Sequence, residues 1–269
     1  MIPLLISAAW ASSCCLPVGG ALPGVLAAEE RWGLGLSGGA AAWRGDWGLD
    51  GAWRPAAPNL RRSQELGLAA MVRVGGPFQL SLGLPALHQR VELGGVPDQA
   101  LSTGDLSVGL RVEGPRGGLR AGSFRPGLRL GIGLPTSEAP PGGAILGADL
   151  GAGARRVSAG LDWESRWGRG PWSVGLDLSQ TEGAAAELAP MGLVGWSLSE
   201  SVDLHLLLNP TVSFAGRWGS SLGLQLPVRP RAGLRLIPSV SAAPPLSGLG
   251  RERQGWMSAR LVVVTAATE

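Results

Sequence analysis

The chain has 269 residues, with 23 basic side chains against 20 acidic ones and a formal net charge of +3. Every basic residue is Arg, and none sits in a basic run, which argues against a nucleic-acid surface. The 44 Gly follow no three-residue period, which excludes collagen, and two His with two Cys argue against a metal centre built on those ligands.

Residues 1–28 carry no charged side chain. They hold an apolar stretch, Pro3 to Trp10, and end on VLAA. Small side chains there fit cleavage after Ala27 or Ala28, so a signal peptide is predicted over 1–28 and a single domain over 29–269. The positive n-region of such leaders is absent, since only the terminal amine supplies positive charge before Arg31. A spanning helix is the competing reading, and Pro3, Pro17 and Pro23 count against it. Both cysteines, Cys14 and Cys15, lie inside this segment. Cleavage would leave a mature chain with neither disulfide nor thiol chemistry. A lipidated N-terminus would retain one of them, but Ala11 stands at the position where such sites usually carry Leu.

From residue 31 onward the dominant signal is period-2 alternation, the mark of strands with different surroundings on their two faces. Trp32, Leu34 and Leu36 alternate weakly. Trp47, Leu49 and Trp53 follow on one face. Leu66, Leu68, Ala70, Val72 and Val74 oppose Glu65, Gly67 and Arg73. Phe78, Leu80, Leu82 and Leu84 oppose Gln79, Ser81 and Gly83. The clearest stretch is GDLSVGLRVEGPRGGLRAGSFRPGLRLGIGLPTS, residues 104–137. Its first strand sets Leu106, Val108, Leu110 and Val112 against Asp105, Ser107, Gly109, Arg111 and Glu113. Its second sets Leu128, Leu130, Ile132 and Leu134 against Arg129, Gly131 and Gly133, and Pro135 ends it.

Further on, Leu146 to Ala152 oppose Asp149 and three Gly, and Val157 to Trp163 oppose Ser158, Asp162 and Glu164. Trp172 to Leu178 oppose Ser173, Gly175 and Asp177. Val194 to Leu198 lead through the turn SES to Val202, Leu204, Leu206 and Leu208, opposed by Asp203, His205 and Asn209. Leu222 to Val228, Leu234 with Leu236, and Met257 to Val263 complete the series. No segment has a useful helical period.

The segments are about ten residues long, enough for a tilted strand to cross a bilayer. Turns near 115, 169, 200 and 230 are short, while connections near 95, 140, 185, 214 and 247 are longer, the asymmetry expected of an outer-membrane barrel. If 146–156 is loop and the weak first segment is a lead-in, about twelve strands remain, within a range of roughly ten to fourteen. The predicted fold class is therefore all-β, an antiparallel transmembrane β-barrel. Trp43, Trp47, Trp53, Trp163, Trp167, Trp172, Trp218 and Trp256 lie near predicted strand ends, as in an aromatic belt. A soluble sandwich with Trp at the ends of its core is the alternative.

The strands GDLSVGLRVE and LRLGIGLPTS, followed by VSAGLDWESRWGRGPWSVGLDLS, resemble the outer-membrane barrel family associated with phenol (meta-pathway) degradation clusters. The resemblance covers about residues 104–210 and rests on the GDL opening of one strand and the LPT end of the next. Ser137 stands where the family pattern often has Gly, and the chain ends VVVTAATE rather than on an aromatic residue. The resemblance implies passage of small apolar molecules and transfers no catalytic residues.

The polar face supplies the lumen and constriction candidates: Arg73, Asp105, Arg111, Glu113, Arg129, Asp149, Asp162, Asp177, Asp203 and His205. Mixed signs in a confined space suggest cross-lumen ion pairs, which either restrict a pore or pack it. Asp203 and His205 share a strand face and could serve a hydrolase, but parity puts them away from lipid. The Gly-rich stretches 33–40 and 146–153 lack the Lys and helix of a phosphate loop. The expected protein is a non-enzymatic channel or transporter of the outer membrane for small, apolar molecules. Its expected partners are the lipid bilayer and small solutes, with no cofactor and no nucleic acid. The alternative is a barrel with a packed lumen and a structural or surface-interaction role.

Overall fold

The computed structural model describes residues 26, 30–47, 53–55, 60–93, 96–103, 105–114, 125–136, 155–167, 170–183, 185–199, 201–214, 217–231, 233–242 and 253–268. Its strands in chain order are β1 (Glu30–Trp47), β2 (Trp53–Pro55), β3 (Leu60–Gly75), β4 (Phe78–Leu93), β5 (Val96–Thr103), β6 (Leu106–Glu113), β7 (Arg125–Leu134) and β8 (Arg156–Trp167). They continue as β9 (Gly170–Thr181), β10 (Glu187–Ser197), β11 (Asp203–Ser213), β12 (Arg217–Gln225), β13 (Val228–Arg231), β14 (Leu234–Ala242) and β15 (Arg253–Thr268). All pairings are antiparallel. The path β12-β11-β10-β9-β8-β7-β6-β4-β3-β1-β15-β14 returns to its start through β12–β14, which closes a barrel of 12 strands. β2, β5 and β13 are short additions beside this ring, β2 and β5 as rim hairpins and β13 as the continuation of β12 past Pro227.

Closure removes every free edge, which is what allows a sheet to sit in hydrocarbon. The outward face is accordingly apolar around the circumference: Leu34, Leu68, Leu82, Leu130, Leu161, Leu176, Val194, Leu208, Leu224, Val240 and Leu261 are all exposed. A soluble sandwich would bury that face, so the sandwich alternative fails. The parity expected at 104–113 holds, with Arg111 and Glu113 buried inside and Leu110 paired between the exposed Leu80 and Leu130.

β1 begins beside the end of β15, so both ends of the ring lie at one rim. The turns at 75–77, 168–169, 198–202 and 232–233 are at that rim. The connections across 135–155, 182–186, 214–216 and 243–252 are at the other. Gly75 and Gly76, at φ 122° and 48°, make the tight β3–β4 turn that a residue with a Cβ would resist. Trp163 and Trp196, both exposed, ring the terminal rim together with Trp32. Trp47, Trp53, Trp218 and Trp256 stand at strand ends near the distal rim.

The strand count agrees with the sequence, but its make-up does not. The weak 31–43 segment is no lead-in: it forms most of β1, paired along its length with β3 and β15. The 47–53 segment instead straddles the β1–β2 corner. Glycine and alanine hid β1 because they supply little apolar contrast, while strand pairing depends on the backbone. The expected segment at 146–152 lies outside the described residues.

Candidate functional site: the barrel lumen

The inward side chains of the terminal half fall into two sectors. The first runs from β3 to β9 and is ionic. Arg73 Nη1 donates to Glu113 Oε2 at 2.7 Å, and Arg111 Nε lies 3.4 Å from Glu113 Oε1. Arg111 Nη2 donates to both Asp162 Oδ2 and Glu164 Oε1 at 2.8 Å. Arg125 Nη2 reaches Glu164 Oε2 at 2.7 Å. Arg129 Nε donates to Asp162 Oδ1 at 3.1 Å, and its Nη1 donates to Asp177 Oδ2 at 3.0 Å.

Register explains why these groups meet. Gln79, Arg111, Arg129, Gly160 and Asp177 are successive partners across β4, β6, β7, β8 and β9. Gly127 and Asp162 are partners one step nearer the terminal rim, beside Gly175. The glycines in these rows are roofed by charged neighbours. A Cβ at Gly127 would lie 2.7 Å from both Asp162 carboxylate oxygens, and one at Gly160 would overlap Asp177. Glycine here makes room for ion pairs rather than for solute. The connected charges are Arg73, Arg111, Arg125 and Arg129 against Glu113, Asp162, Glu164 and Asp177, four of each sign. With equal numbers of each sign the network fills space, although Arg111 Nε and Nη1, Glu113 Oε1 and Arg125 Nε are buried without a hydrogen-bond partner among the described residues.

The second sector runs from β10 through β1 to β3 and is mixed, with buried Leu, Val, Ile and Met side chains beside the buried polar Ser37, His205 and Gln225. Leu193 of β10 and Leu207 of β11 are buried partners. Met71, Ile237, Val262 and Val264 form a buried cluster with Leu26, whose backbone N–H donates to Gln79 Oε1 at 3.0 Å. Leu26 belongs to the segment expected to be a leader, and it is the one residue of 1–29 that the structure describes. Its side chain rests on Gly33, where a Cβ would come within 3.0 Å of Leu26 Cδ2. Two further ion pairs lie in this sector, Arg235–Glu30 at 2.8 Å and Arg229–Asp203 at 2.7 Å, and Arg73 Nε donates to the Glu30 carbonyl at 3.2 Å.

Above the network lies a row of small residues. Ser81, Gly109, Gly131, Ser158 and Ser179 are consecutive partners across β4, β6, β7, β8 and β9. The lumen is therefore occupied toward the terminal rim. Toward the distal rim these five strands carry short side chains, crossed by Arg156 of β8, whose Nη2 donates to Ser179 Oγ at 2.9 Å.

Of the residues singled out by sequence, Arg73, Arg111, Glu113, Arg129, Asp162 and Asp177 come together in the one network. Asp203 lies apart, paired with Arg229. His205 is buried opposite Gln225, and neither ring nitrogen has a hydrogen-bond partner among the described residues. Asp105 precedes β6 at the distal end, away from the network. Asp149 lies outside the described residues. Sequence reasoning missed Arg125, because Pro126 follows it and the strand was begun at Leu128. It also missed Met71, Leu193, Leu207, Ile237, Val262 and Val264, which alternation alone cannot assign to a lumen. Among the described residues no group of three or more His, Cys, Asp or Glu could hold a metal ion.

No family model matches the chain, and no curated protein matches it. Among solved structures it is similar to an outer-membrane channel from Pseudomonas putida F1, with a TM-score of 0.69 at 11% identity, over 88% of this chain and 96% of that one. It is also similar to the KdgM porin, with a TM-score of 0.55 at 7% identity over 87% and 99%. The translocator domain of the autotransporter NalP from Neisseria meningitidis gives 0.51 at 13% identity over 87% and 88%. At these identities the likeness establishes the fold: this chain has the fold of the outer-membrane β-barrels.

Proposed function

We propose that the protein is a non-catalytic outer-membrane channel for small, apolar molecules, exported by a leader over 1–28. The observation that carries this reading is the closed 12-strand wall with a row of short side chains, Ser81 to Ser179, above a neutral network. Eight strands already enclose a lumen that side chains can fill. Twelve strands enclose a wider lumen, and where five of them carry Gly and Ser the space beside Arg156 is left to a solute or water. Four paired charges of each sign offer little net field to select ions, and the buried Met71, Ile237, Val262 and Val264 of the second sector suit an uncharged guest. Similarity to channel and porin structures agrees with this at the level of fold.

The test uses intact Gram-negative cells and the fluorophore N-phenyl-1-naphthylamine, an apolar probe that the lipopolysaccharide leaflet excludes. Cells carrying the protein should admit it faster than cells without. Gly131→Trp, or Ser158→Trp as a partner in the same row, should slow its entry by filling the chamber. Equal entry with and without the protein would remove the channel reading. The second reading, a packed barrel with a structural role, is favoured by the network itself and would then stand.

A further inference from the structure

Among the described residues, the β10–β11 ladder is interrupted between two stretches that pair in the same register. β10 and β11 pair at Glu187↔Ser213 and Leu188↔Val212, and again from Gly192↔Leu208 to Ser197↔Asp203. The register is the same on both sides of the interruption. Continued through it, Ala189 faces Thr211, Pro190 faces Pro210, and Met191 faces Asn209.

The cause is chemical. In an antiparallel ladder, alternate pairs exchange two N–H···O bonds. Leu188↔Val212 and Gly192↔Leu208 bracket Pro190 and Pro210 at that spacing. Neither proline has an N–H, so both bonds of their pair are missing, and the pairs on either side lose one of their closing bonds. The other flanks are whole: β10 pairs β9 without interruption through Ala189, Pro190 and Met191, and β11 pairs β12 without interruption through Asn209, Pro210 and Thr211. Proline in a sheet is normally confined to an edge. Here each proline turns its donor-free side to the other, so the seam behaves as two edges face to face within a closed wall. The interval between the flanking bonded pairs is about 13 Å along the strands.

The position of this seam matters. Ala189 pairs with Asp177, the uppermost acid of the network. The buried Leu193 and Leu207 lie just below it on the lumen side. Met191 points into the lumen against Gly175, where a Cβ would lie 3.1 Å from Met191 Cγ. Outward, the flanking Val194 and Leu208 are exposed to the lipid side. A guest that enters from the distal rim thus meets a filled floor and, at the same height, a stretch of wall that lacks ladder bonds, with a flexible thioether on its inner face and lipid outside.

We propose that the β10–β11 seam at Pro190 and Pro210 is a lateral exit, through which small apolar molecules pass from the lumen into the hydrocarbon of the membrane. This rests on the channel reading and gives it a route that does not cross the ionic floor. Breathing at the seam breaks no ladder bond at the proline pair, whereas opening any fully bonded seam would strand donors and acceptors in lipid.

The experiment pins the seam in the full chain. Ala189→Cys with Thr211→Cys, in a background carrying Cys14→Ser and Cys15→Ser, places two thiols at a non-hydrogen-bonded pair, the spacing a disulfide accepts. Entry of N-phenyl-1-naphthylamine is read in intact cells after oxidation and again after reduction. Pro190→Val with Pro210→Val is the second variant, because it restores two donors without a cross-link. Heat-dependent gel mobility reports folding of each. Loss of the probe signal on oxidation, its return on reduction, and a matching loss in the double valine variant would support the lateral exit. If wild type admits the probe and neither variant changes its entry, the lateral exit is overturned while the channel stands. If wild type admits no more probe than cells lacking the protein, the channel reading fails and takes the exit with it.

Discussion

The two sectors of the lumen solve one problem with opposite chemistry. A barrel of 12 strands is wider than one layer of ordinary inward side chains can span. Between β3 and β9 the gap is bridged by reach: Arg73 skips β4 to find Glu113, and Arg111 skips β7 to find Asp162 and Glu164. Between β10 and β3 a cluster of Met71, Ile237, Val262 and Val264 fills part of the lumen with Leu26 from outside the strands, beside the buried His205, Gln225 and Arg235. Directional filling needs every partner in place. Apolar filling needs only volume, and the two should therefore fail differently when a side chain is removed.

The largest effect is expected at the centre of the ionic sector. Asp162 is fully buried and holds Arg111 and Arg129 together. Asp162→Ala leaves two guanidinium groups short of a counter-charge and should destabilise the barrel by about 3–5 kcal/mol. Urea unfolding in detergent micelles checks this. Arg129→Ala also takes a partner from Asp177, and its cost on top of Asp162→Ala should be well below its cost alone. Additive costs would show that the sector is not one coupled unit.

The outer face supplies the next comparison, between either lumen sector and lipid. Leu110→Arg should cost about 2–4 kcal/mol if the site lies near the bilayer midplane. Ser107→Arg, on the same strand but facing inward beside the small-residue row, should cost less. Equal losses on refolding into lipid vesicles would contradict the assigned facing.

How far the sequence reveals these sectors depends on contrast. The ionic sector was legible, because Arg111, Glu113, Arg129, Asp162 and Asp177 alternate with Leu and Val along their strands. The apolar sector was not. In the run Leu261, Val262, Val263, Val264 both faces are apolar, so nothing in the pattern says that Val262 and Val264 turn inward. β1 was understated for a related reason, since Gly33, Gly35 and Ala40 give no contrast on either face. The lumenal glycines were legible as small but not as roofed, because Asp162 over Gly127 and Asp177 over Gly160 depend on register between strands. The seam at Pro190 and Pro210 also depends on register, as the two prolines are twenty positions apart in the chain.

Within the apolar sector, Ile237→Val removes one methylene group from a site with no solvent exposure. The expected loss is about 0.5–1.5 kcal/mol, well below that of Asp162→Ala. Thermal unfolding followed by gel mobility resolves the two. A larger loss at Ile237 would mean that the cluster around Met71, Val262 and Val264 is packed too tightly to relax. Removal of the proposed leader over 1–28 would bear on the same cluster. Cleavage after Ala27 or Ala28 would take Leu26 away, so intact-mass measurement of the membrane form should find a chain that begins after Ala27 or Ala28.

The smallest effect is expected at the terminal rim, where ion pairing persists without enclosure. Arg229 lies 2.7 Å from Asp203, as close as Arg73 lies to Glu113. Distance is equal, but setting is not: the Arg229 side chain is 54% exposed, whereas the Arg73 side chain is 4% exposed. Water screens the pair from the Arg229 side, while the Asp203 side chain itself is only 10% exposed. Arg229→Gln should therefore cost less than Asp162→Ala, and the loss should shrink in concentrated salt. Asp162→Ala should stay costly in the same salt, because ions do not reach the enclosed network. A loss at Arg229 that matches Asp162 and ignores salt would show that the rim belongs to the ionic sector, and the line drawn between the two sectors would have to move.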